Sequence, residues 1–112
     1  DIYNLLKYQR NMPATIDTAL QRQCAGFIDD MSMVISEVKN NDKTPLENYH
    51  RLFKLTNSFD KLIAETYDNM GGSRYFITVI SLYMRGVLTD NDISALDDDL
   101  IHKLKTFLRI RD

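Results

Sequence analysis

Tryptophan is absent from this 112-residue chain, cysteine occurs once, and neither sign of charge dominates. A lone Cys24 cannot close an intrachain disulfide, so no covalent staple of that kind holds the fold. It suits a reducing compartment, and an intracellular location, cytoplasm or nucleus, is the expectation. Fourteen basic and 16 acidic residues give a formal net charge of −2 and are mixed along the chain. That lacks the clustered positive excess of a general nucleic-acid binder. The longest apolar run, Tyr75 to Leu88, falls short of the ~20 residues that span a bilayer. No basic-then-apolar signal segment stands at the N-terminus. Asp1 in place of an initiator methionine fits a single domain, residues 1–112, excised from a longer chain.

Motifs that force a chemistry are missing as well. The only glycine pair, Gly71-Gly72, is not followed by the Lys-Ser/Thr of a phosphate-binding loop. Asp90, Asp92 and Ser94 alternate as calcium-loop ligands do, but Ala95 and Ile101 stand where that loop needs its glycine and its bidentate glutamate. Capping and solvated surface explain these aspartates better. One cysteine and two histidines, Cys24, His50 and His102, supply neither zinc-ligand spacing nor a nucleophile-base pair. Cys24 lies on an apolar helical stripe, where a buried thiol is ordinary. The expectation is therefore a protein that is not an enzyme and carries no cofactor or metal.

What the chain does contain is helical periodicity. Residues 1–10 place Ile2, Leu5 and Leu6 at helical spacing, and Asn11-Met12-Pro13 should break that helix, because the residue before a proline is biased away from helical angles. From Ala14 to Val38, steps of three and four link Ile16, Ala19, Leu20, Cys24, Phe27, Ile28, Met31, Val34, Ile35 and Val38 into one stripe. The polar run 39–43 ends it.

Thr44-Pro45-Leu46-Glu47 then reads as a capping box with proline at the first helical position. The helix it opens should continue to Met70 and stop at Gly71-Gly72. Ser73 is positioned to cap the apolar helix that follows, about 74–88, in which Gly86 either admits a close neighbour or loosens the last turn. Thr89 offers a further cap, and Asp97-Asp98-Asp99 can divide the remaining stretch into a short helix and a longer one. The fold class expected is all-α, a compact bundle of five or six helices around the central apolar helix at about 74–88.

A central helix wrapped by amphipathic ones is an architecture that interaction domains use, and fold alone does not set function. The leading expectation is a non-enzymatic helical protein–protein interaction domain, regulatory or inhibitory and of viral or microbial type. Its partner would be another protein or a second copy of itself, docked on an apolar patch. Candidates for that patch are Tyr3, Tyr8, Met12, Met33, Tyr49 and Phe53. The alternative is a nucleic-acid-associated protein using Lys103, Lys105, Arg109 and Arg111 of the basic C-terminal helix. A helix-turn-helix reader is disfavoured, because its recognition helix would begin on three aspartates facing phosphate.

Overall fold

A computed structural model of the protein describes the backbone of residues 2–71, 73–96 and 98–111, and the side chains of 12–71, 74–96 and 98–109. Five α-helices and no strand occur among the described residues: α1 Ile2–Val38, α2 Pro45–Tyr67, α3 Ser73–Met84, α4 Asp90–Ile93 and α5 Asp98–Arg111. No described helix is long and apolar enough to cross a membrane. Contacts divide the chain into two compact units. Residues 1–19 and 69–112 form the first, and Leu20–Asp68 the second.

The break expected at Pro13 does not occur, since α1 continues through it. Proline removes one backbone donor and costs a helix interior about 3 kcal/mol. Packing on either side opposes that cost: Met12, Ile16 and Ala19, at steps of four and three, are all buried in the first unit. Tertiary burial of this stripe outweighs the local bias.

The first unit holds every buried residue among those described. Val79, Ile80 and Leu82 of α3 are closed to solvent together with Leu88, Ile93, Leu96, Leu100 and Leu104. The bundle expected around one central helix is not observed. Helix α3 is buried on one side only, while Ile77, Ser81 and Met84, again at steps of four and three, are exposed. Helix α2 belongs to the second unit and buries no residue.

Helix termini follow local chemistry. Thr44 accepts from the Glu47 N–H while the Glu47 carboxylate accepts from the Thr44 N–H, which completes the expected capping box. Thr89 and Asp92 form the same reciprocal pair at α4, and the stretch after it is two helices. Helix α2 stops earlier than the glycine pair suggests. It ends at Tyr67, and the left-handed residue beyond it is Asn69 at φ 61°. Asparagine is the side-chain-bearing residue that tolerates this region best.

Helix α3 also ends four residues before the expected Leu88, and Gly86 explains why. It sits at φ 79°, with Gly86 N–H donating to Tyr83 C=O at 3.1 Å and Val87 N–H to Leu82 C=O at 2.9 Å. These two bonds are those of a Schellman cap, with glycine as its left-handed residue. A Cβ at Gly86 would meet nothing within 4 Å, so any substitution cost there is backbone conformation alone. Gly86→Ala should therefore destabilise the first unit by about 1 kcal/mol, and Gly86→Asn by less, in a denaturant titration. Equal stability of the wild type and the alanine variant would show that α3 does not end on this cap.

Candidate docking face on the helical hairpin

The second unit is an antiparallel hairpin of the C-terminal part of α1 and the whole of α2. Its register is set by four cross-helix contacts that run down α1 as they run up α2. The Asn48 side-chain amide donates to Val38 C=O at 3.3 Å, and Arg51 pairs with Glu37 at 2.8 Å. Phe27 stacks on Phe59 with ring centroids 4.2 Å apart and planes within 6°. Tyr67 donates to the Gln23 side-chain carbonyl at 2.5 Å. At the turn, Asn41 and Asn48 exchange reciprocal amide hydrogen bonds of 2.9 and 3.1 Å, so Asn48 fixes the loop and occupies one of the free carbonyls at the end of α1.

Leu20, Cys24, Phe27, Met31, Val34 and Val38, alternating steps of four and three, are half-buried along α1 and define its side of the seam. Leu52, Phe59, Ile63 and Tyr67 define the side on α2. With the seam fixed, helical phase sorts the remaining residues onto two flanks. Successive residues lie about 100° apart, and in an antiparallel pair, flanks of the same phase adjoin. Glu37 and Arg51 mark one flank, which also carries Asp30, Met33, Glu47, Ser58 and Glu65. Leu55 and Leu62, 38 and 37% exposed, share this flank with those charges, and its ion pair is exposed at both ends, 39% and 63%, so it contributes little to stability.

The other flank is apolar. Ile28 and Ile35 on α1 adjoin Leu46, Tyr49 and Phe53 on α2, and these five are 66, 42, 64, 61 and 57% exposed. Ala25, Ser32 and Thr56 fill the surface between them, and no charged residue interrupts it until Lys39 at the loop end and Asp60 at the other.

Of the residues proposed from sequence, Tyr49 and Phe53 come together on this face. Met33, at 72% exposure, falls on the charged flank instead. Met12 is buried in the first unit at 6% exposure, so it cannot join an exposed patch. The side chains of Tyr3 and Tyr8 lie outside the described residues. Ile28 and Ile35, which periodicity places on the single stripe of α1, face outward here, as does Leu46. The signal for Ile28 and Ile35 is the adjacent pairs Phe27-Ile28 and Val34-Ile35; Leu46 has no such pair. Neighbours on a helix point about 100° apart, so such pairs cannot share one narrow seam.

Elsewhere, Lys103, Lys105 and Arg109 are exposed on α5, whose first turn is acidic at Asp98 and Asp99; the Arg111 side chain is outside the described residues. The first unit carries an open apolar hollow of about 310 Å³ lined by Phe76, Ile77, Ile80, Met84, Arg85 and Phe107. The Asp90 carboxylate accepts from the Tyr83 hydroxyl at 2.5 Å, linking the end of α3 to α4; that bond, then burial, then the negative charge, hold the phenol above its usual 10.0. His50 is exposed and tilted against Tyr49 at 5.7 Å, and Cys24 is half-buried. Among the described residues, no group of three or more His, Cys, Asp or Glu is arranged to hold a metal ion. Comparison with protein-family models, with curated proteins and with solved structures finds no match to this chain.

Proposed function

We propose that this protein is a non-enzymatic interaction module that works by presenting the apolar flank of its hairpin to another protein surface. The observation that carries the reading is the contrast within one unit. From Leu20 to Asp68 no residue is buried, yet five large apolar side chains cluster on one flank with no charge between them, whereas Met33, Leu55 and Leu62 on the other are interspersed with charges. Together these five expose on the order of 500 Å² of apolar surface, near the upper end for the largest patch of an ordinary monomer. Tyrosine and phenylalanine at its middle are residue types that dominate binding energy at protein interfaces.

Site-specific photo-crosslinking in living cells tests this. A photoreactive side chain at position 53 or 49 should give discrete protein crosslinks, and the same group at Ser58 or Glu65, on the charged flank, should give few. Equal labelling from both flanks, or none from position 53, would remove the basis for the proposal.

A further inference from the structure

We infer that the occupant of the apolar flank is a second copy of the same flank, packed across a two-fold axis near Phe53 with the hairpins antiparallel. The inference rests on reading that flank as a docking surface and adds the identity of the partner. Two features select a second copy over an unrelated protein.

The first is the distribution of charge. Within the flank no Asp, Glu, Lys or Arg stands between Lys39 and Asp60, and both of these are exposed. Lys39 N–H still donates to Ile35 C=O at 3.2 Å, so it continues the helical phase of Ile28 and Ile35. Asp60 continues the phase of Leu46, Tyr49 and Phe53, at steps of three, four and seven. In the register set by Val38–Asn48 and Phe27–Phe59, Phe53 lies level with residues 33–34 of α1. Lys39 lies toward the loop from that level and Asp60 by a similar distance the other way. A two-fold axis there exchanges the two ends and packs each helix on its own copy, so Lys39 of one copy comes level with Asp60 of the next on the adjoining helix, twice. A parallel arrangement would instead place like charges together.

The second is area. A stable interface removes about 800 Å² from each partner. The five apolar side chains, with Ala25, Ser32 and Thr56 between them and the two terminal charges at the rim, make a surface of about that order. An isologous pairing gives each copy an apolar centre and a polar rim, and joins two hairpins into a four-helix arrangement.

Sedimentation equilibrium of the full chain across a wide concentration range reads the outcome. The expected species is a dimer of ~26 kDa, twice the 13.0 kDa chain. Phe53→Asp, which places two carboxylates face to face across the axis, should weaken association at least about a hundredfold. Met33→Asp, on the charged flank, should leave it unchanged and controls for folding. Lys39→Glu or Asp60→Lys alone should weaken it by about five- to tenfold, and the double exchange should restore it to within about twofold of wild type.

A chain that stays monomeric at every concentration overturns the inference, as does a dimer indifferent to Phe53→Asp. Failure of the double exchange to restore association overturns the antiparallel arrangement. Crosslinks from position 53 to a different protein, with a monomeric chain, would leave the docking face standing and remove only the second copy.

Discussion

Truncating Leu104 to alanine is expected to cost the first unit about 3 kcal/mol. Leu104 is 0% exposed on the stripe Leu100, Leu104 and Leu108 of α5, and Val79 and Leu82 in the same unit are equally closed to solvent. A site enclosed on all sides relaxes poorly, so the lost transfer energy and the cavity left behind both count. Phe107, a larger side chain three residues on but 38% exposed, supplies the comparison. Phe107→Ala should cost less, about 1.5 to 2 kcal/mol, because more than a third of its surface never leaves water. Native-state hydrogen exchange of amides around Val79, Leu82 and Leu100 resolves the two. Acceleration no greater for Leu104→Ala than for Phe107→Ala would mean that α5 does not pack by this stripe.

The features legible in the sequence are those decided within one turn of chain. Thr44 with Glu47, and Thr89 with Asp92, form capping boxes because both partners lie three residues apart and need nothing else. The end of α1 at Val38 followed from the polar run after it. The features that were not legible depend on distant partners. Pro13 is an effective breaker only where packing is weak, and Met12, Ile16 and Ala19 are buried around it. The apolar run of α3 shows how much surface wants to be covered, but not which helices are close enough to cover it. Its own unit covers one side of it, and Ile77 and Met84 remain 58 and 47% exposed.

The candidate site was legible in the same partial way. Tyr49 and Phe53 stand among the candidates named from the sequence, and the structure places both on the apolar flank. Ile28, Ile35 and Leu46 were hidden because a periodicity count assigns every apolar residue to one face. A stripe of ten apolar residues over 14–38 is wider than a single helix neighbour can cover. Width beyond one neighbour is itself a mark of a second contact surface.

The hairpin's internal seam makes the second large prediction. Phe27 and Phe59 stack at its middle, and no fully buried residue elsewhere in Leu20–Asp68 shares the load. Phe59→Ala removes a half-buried ring and its stacking partner at once, an expected loss of about 2 kcal/mol. Amides of the hairpin should then exchange roughly 30-fold faster, while those around Leu82 and Leu104 in the first unit keep their wild-type rates. Phe53→Ser, which leaves the seam intact, should not reproduce this in dilute solution. If the apolar flank is covered by a second copy, raising the protein concentration should slow hairpin exchange in the wild type, because association stabilises the folded form by mass action. Phe53→Asp should abolish that dependence. A uniform acceleration of both units by Phe59→Ala would show that they open together, and would remove the ground for treating the hairpin as a separately stabilised docking element.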